Sequence, residues 1–145
     1  MSKLHKGLNT QVANLAVLFV KLHHHHWYVP GPNFYLLHEK FEEFYDEVNE
    51  LYDAVAERLL MIGGKPFSKM KDYLANTTLV EAKGNETAVE MVESIANDFK
   101  TIRKEFNALI KVAQAEGDEV TTDLLLGAVT SLDKHIWMLE AFLSK

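Results

Sequence analysis

Apolar residues along this chain recur at intervals of three and four rather than in alternation, over four long stretches near residues 4–28, 33–61, 86–116 and 118–143. In the first, Val12, Leu15, Phe19, Leu22 and His26 share one side of a helix. In the last, Leu124, Leu125, Ala128, Leu132, Ile136, Leu139 and Phe142 do the same. Pro30-Gly31-Pro32, Gly63-Gly64 with Pro66, Gly84 and Gly117 separate the stretches, and no proline follows Pro66. Asn33 is placed to cap the second helix and Asp118 the fourth. A shorter helix near 68–75, around Met70, Tyr73 and Leu74, interrupts the connection between the second and third long helices. The pattern predicts an all-α four-helix bundle with one crossover of roughly 20 residues.

That arrangement is the ferritin-like one. No internal repeat, low-complexity tract or linker divides the 145 residues, so a single domain over 1–145 is expected. With 48% hydrophobic and 25% charged residues the chain is neither disordered nor a membrane protein. The absence of cysteine excludes disulfides, thiolate metal sites and a cysteine nucleophile. A net charge of −6 is the wrong sign for a domain whose main work is holding phosphates. The start, Met1-Ser2-Lys3-Leu4-His5-Lys6, lacks the apolar core of an export signal, so a cytoplasmic location is expected. One anomaly remains. Of seven histidines, five lie between His23 and His38.

On a helical wheel of the second helix, with His38 at zero, Glu42 falls near 40°, Asp53 near 60° and Glu57 near 100°. Taken singly, these carboxylates read as ordinary ion-pair partners, Glu57 with Arg58 for instance. Together on one stripe with a histidine, they are the donor set of a non-haem iron or manganese site. His26 continues the apolar stripe of the first helix and points inward. Its neighbours His24 and His25 turn away by about 100° per residue, so most of the run is expected on the surface. The pairs His38/Glu42 and Asp53/Glu57 lie roughly 22 Å apart along one helix, far beyond the reach of a single ion. Either they serve two separate sites, or a second copy of the chain completes each one.

These residues resemble the Dps family, the mini-ferritins known as DNA-binding proteins from starved cells. One matching segment is His26-Trp27-Tyr28-Val29-Pro30-Gly31, then Leu37-His38 and Glu42. A second is Tyr52-Asp53-Ala54-Val55-Ala56-Glu57-Arg58, followed by Ile62-Gly63-Gly64-Lys65-Pro66. Asp133-Lys134-His135-Ile136-Trp137 is also similar. The resemblance implies a dodecamer with di-iron ferroxidase sites between subunits: His26, His38 and Glu42 from one copy, Asp53 and Glu57 from its partner. Glu42 stands where many members have aspartate. Trp27 matches the tryptophan beside the site, and Asp118, Glu119 and Asp123 fall where iron enters through three-fold pores. The implied reaction oxidises Fe2+ preferentially with hydrogen peroxide and stores ferric mineral in the shell, protecting against oxidative stress. Two other classes compete with it. One is a shell that shields DNA; only Lys3 and Lys6 precede the helical pattern and the net charge is −6, so weak or absent DNA binding is expected. The other is a metal buffer without redox turnover. The residues alone assign no role to His23, Tyr28, Tyr52 or Trp137.

Overall fold

The computed structural model describes residues 2–144; Met1 and Lys145, the two ends of the expected domain, lie outside the described residues. Five helices follow in order: α1 (Lys3–Tyr28), α2 (Phe34–Met61), the short α3 (Met70–Asn76), α4 (Ala88–Ala115) and α5 (Glu119–Phe142). The bundle and the extra helix in the crossover are as the periodicity predicts. The crossover, residues 62–87, is longer than the glycines and prolines suggest.

Local chemistry sets the helix ends. Ser2 caps α1 by accepting from the His5 amide at 3.1 Å. Thr87 and Glu90 form a reciprocal capping box at the start of α4. Gly117, at φ 73°, takes the left-handed conformation that ends α4, with its own amide on the Gln114 carbonyl and the Asp118 amide on that of Ala113. Asp118 then caps α5 through the Thr121 amide at 2.9 Å. Asn33 stands at the cap position of α2 as expected, but its side chain makes no capping bond.

α1 packs on α2, α4 packs on α5, and α1 also meets α3 and α4. Leu18 and Leu22 of α1, Phe41 of α2, Phe99 and Ile102 of α4 and Leu125 of α5 are buried in one core. Because α1 is enclosed from several directions, its buried set includes polar residues. Asn9 donates to the Lys65 carbonyl at 2.9 Å and accepts from the Phe67 amide at 2.8 Å, which ties down one end of the crossover. Asn14 accepts from Thr77 Oγ1 and the Thr78 amide at 2.6 and 2.7 Å and so holds the crossover just after α3.

The same enclosure overturns the expectation for the histidine run. His25 is fully buried, His26 is buried, and His23 and His24 are half-buried. The wheel assumes one solvent face, and α1 has little of one where α2 and the segment before α4 close over its end. Among the described residues, no helix is long and apolar enough to cross a membrane.

Candidate metal centre

Pro30-Gly31-Pro32 stops α1 and reverses the chain, with Gly31 at φ 99°, a conformation open to glycine and strained for any other residue. The turn sets the last turn of α1 beside the first turns of α2, and this brings His26 and His38 face to face. Their rings stack with centroids 3.6 Å apart and planes 14° from parallel. His26 Nδ1 lies 2.7 Å from the His38 carbonyl, and His38 Nδ1 lies 2.7 Å from the His26 carbonyl. A carbonyl oxygen only accepts, so both Nδ1 atoms carry the proton and both Nε2 atoms keep a free lone pair. Phe34 stacks on the far side of His38, with centroids 4.9 Å apart.

Glu42, one turn beyond His38, completes the cluster. Its Oε1 is 3.8 Å from His26 Nε2, and the ligand atoms of His26, His38 and Glu42 all fall within 4.8 Å of one another. A small rotation of the exposed Glu42 side chain would let the three donors converge on an ion about 2.1 Å from each. Two imidazole nitrogens and one carboxylate, with positions left open, suit ferrous iron. The His26 side chain is almost covered, at 8% exposed, while that of Glu42 is 53% exposed. The cluster is therefore walled on the bundle side and open on the other.

Asp53 and Glu57 are not part of this cluster. Both are exposed on the same continuous helix, about 22 Å farther along by helical rise. Among the described residues neither makes a hydrogen bond or ion pair within the chain. Arg58, the expected neighbour for Glu57, instead bonds Asp118 at 3.0 Å and Thr121 Oγ1 at 2.9 Å. Asp118 is thus engaged twice over, as cap and as ion-pair partner. Its burial works to raise its pKa, but the bonds from Thr121 and Arg58 outweigh that and hold it below the ordinary value. Glu119 and Asp123 are exposed in the first turns of α5.

The surroundings of the cluster hold residues that the sequence did not assign. His23 donates Nδ1–H to the Phe19 carbonyl at 3.0 Å and lies flat on Tyr45, with centroids 3.7 Å apart. Tyr45 also meets the edge of His26 at 5.3 Å, and its pKa is raised by burial and then by the charges of Glu42 and Asp46. Trp27 is 63% exposed and meets the ring of His23, with centroids 5.4 Å apart. Tyr28, Tyr35 and Leu36 are exposed around the same turn. Tyr52 bonds the Tyr73 hydroxyl, and Trp137 is exposed on α5, so neither belongs to the cluster. The spacing that could have revealed the histidine pair is symmetric. One residue lies in the last turn of a helix, the other in the first turns of the next, with a tight turn between.

Comparison with known proteins identifies the family and the fold. The family model described as a ferritin-like domain matches residues 5–145. A Bacillus anthracis protein named DNA protection during starvation protein 2 is 52% identical over 138 residues, covering 95% of this chain and 94% of its own. General stress protein 20U of Bacillus subtilis is 48% identical over 141 residues, with 97% of each chain covered. The crystal structure of a Dps protein from Bacillus brevis superposes with a TM-score of 0.95 at 47% identity, covering 99% of both chains. That of Dps from Listeria monocytogenes gives 0.97 at 44% identity, covering 100% of this chain and 96% of its own. Sequence, fold and relatives coincide: the chain belongs to the ferritin-like family, within the Dps mini-ferritins.

Proposed function

We propose that this protein is a ferroxidase and iron-storing shell that removes Fe2+ and hydrogen peroxide together. The observation that carries this reading is the reciprocal lock of His26 and His38, which leaves two Nε2 lone pairs beside the Glu42 carboxylate. His26, His38 and Glu42 of one copy bind Fe2+, and Asp53 and Glu57 of a second copy complete the site. In support, Asp53 and Glu57 are exposed and, among the described residues, without a side-chain partner, and Trp27, Tyr28, Tyr35 and Leu36 form an exposed apolar rim suited to burial against another copy. A two-fold axis across α2 near residues 47–48 would build two equivalent sites.

Peroxide takes one electron from each of two Fe2+ ions and two protons, giving two Fe3+ and two waters, with no hydroxyl radical released. Neutral imidazoles admit the ferrous ion, and the carboxylates favour its ferric product. Trp27 stands at the edge of the site, where it can give an electron to stray oxidant. The ferric product is held as mineral inside a shell of twelve copies, entered past Asp123 and Glu119 at three-fold pores, with Asp118 beside them as the helix cap. The compartment is the cytoplasm.

Relatives carry names that speak of DNA protection. Here we assign protection to the removal of the reactants; a net charge of −6 on each copy opposes a hold on DNA at physiological salt. The test is anaerobic loading of the purified protein with Fe2+, then stoichiometric peroxide, followed by ferric absorbance with mass by light scattering. Rapid oxidation in a particle of about twelve chains is expected. Metal binding without consumption of peroxide would instead mark a metal buffer.

A further inference from the structure

The bundle is less tightly closed between α2 and α5 than within the α1–α2 and α4–α5 pairs. Polar clasps join the two helices at either end of this seam. At one end Glu47 Oε2 bonds His135 Nε2 at 2.6 Å, with the imidazole braced on Phe44 at 4.9 Å. At the other, Arg58 bonds Asp118 and Thr121. Between them lies a cavity of about 400 Å³ floored by Leu18, Phe44, Phe99 and Leu132. Small residues of α5 leave it open: no heavy atom stands within 4 Å of where a Cβ on Gly127 would sit.

The charges around this cavity are of one sign. Glu47, Glu50 and Asp123 line it, and among the described residues no lysine or arginine does. Glu47 is bonded to His135, but among the described residues Glu50 and Asp123 make no hydrogen bond or ion pair. Glu47 is about 180° around α2 from His38, so the cavity lies on the opposite side of that helix from the histidine cluster.

We propose that this cavity binds an amphiphilic cation: a primary or quaternary ammonium carried on an apolar tail. The volume and the mostly apolar lining match those of small-molecule sites, in which a few polar groups set orientation. The tail packs on Phe44 and Leu132 while the ammonium pairs with Glu50 and Asp123 at the rim. An alkyl carboxylate has the same tail, and the acidic rim turns it away. The cavity holds none of His26, His38, Glu42, Asp53 or Glu57, and it shares Asp123 with the iron entry proposed above.

The test is calorimetric titration of the intact assembled protein at pH 7 with decylamine hydrochloride and, separately, sodium decanoate, each below its micelle concentration. Saturable binding of one decylamine per chain is expected, with decanoate at least about tenfold weaker. Glu50→Lys, an exposed change, should weaken decylamine by at least about tenfold while particle mass stays unchanged. Ser131→Phe, which fills the floor, should abolish binding. Equal affinity for the two amphiphiles, affinity for the amine unaltered in both variants, or no saturable binding of the amine would each overturn the proposal.

Discussion

His26 and His38 hold each other in place: each donates its Nδ1 proton to the backbone carbonyl of the other, at 2.7 Å in both directions. The bonds fix both tautomers and both ring orientations before any metal arrives, so little reorganisation is left for binding. The two residues therefore act as one unit. His26→Ala and His38→Ala should each slow peroxide-driven Fe2+ oxidation by about 10–100-fold, and the double variant should add little to either. Rates of ferric absorbance for the three variants check this. Multiplying effects would mean that the histidines bind independently.

Gly31 controls the turn that sets this pair. At φ 99° its backbone is strained for an L-residue, yet a Cβ there would meet no heavy atom within 4 Å. Gly31→Ala should cost about 1–2 kcal/mol through conformation alone. The strain falls between the two histidines, so Fe2+ affinity should fall along with the melting temperature. A Gly31→Ala protein with wild-type iron titration would show that the turn does not position the pair.

Glu86, in the segment before α4, stabilises the end of α1. Burial pushes its pKa up, but the amides of Lys83, Glu86 and Gly84, then the neighbouring His25, carry it from 4.5 down to about 2. A carboxylate whose folded pKa is depressed adds stability above its unfolded pKa and loses it as the pH falls toward the folded value. Glu86→Gln should therefore destabilise the protein at pH 7 by about 1.5–3 kcal/mol, the range for hydrogen bonds to a charged acceptor. The gap from wild type should close between pH 4.5 and about 2. Denaturant melts across that window measure it.

The Arg58–Asp118 clasp combines a helix cap with an ion pair whose side chains are 19% and 18% exposed. Asp118→Ala removes the cap, the ion pair and the Thr121 bond, and should cost about 2 kcal/mol. Arg58→Ala leaves the cap in place and should cost less. If the two variants melt alike, the stability resides in the ion pair rather than the cap.

Periodicity and the glycine and proline breaks were enough to read the helices, and the wheel was enough to place His38 and Glu42 together. His26 facing inward was also legible, because it extends an apolar stripe. What escaped was tertiary. His25 is fully buried because α1 is surrounded, and its pKa falls to about 4, first through burial; a wheel of α1 alone has no term for neighbouring helices. Arg58 pairs with Asp118, 60 residues away, rather than with the adjacent Glu57, and only the packed bundle brings α5 within reach. Asn33 occupies the cap position without capping, since the turn through Gly31 directs the entry to α2 by backbone bonds. The mutual lock of the histidines depends on the shape of that turn, which spacing alone does not give.

If each iron site draws on two copies of the chain, two different defective subunits can restore it between them. One variant carries His26→Ala and His38→Ala; the other carries Asp53→Ala and Glu57→Ala. Each alone should form shells slowed by at least about 10-fold. Co-expressed and randomly mixed, half of the two-fold pairs join unlike copies, and each such pair regains one intact site. Peroxide-driven Fe2+ oxidation should then recover to about a quarter of the wild-type rate. Mixed shells, verified by native mass, that stay as slow as either parent would contradict the shared site.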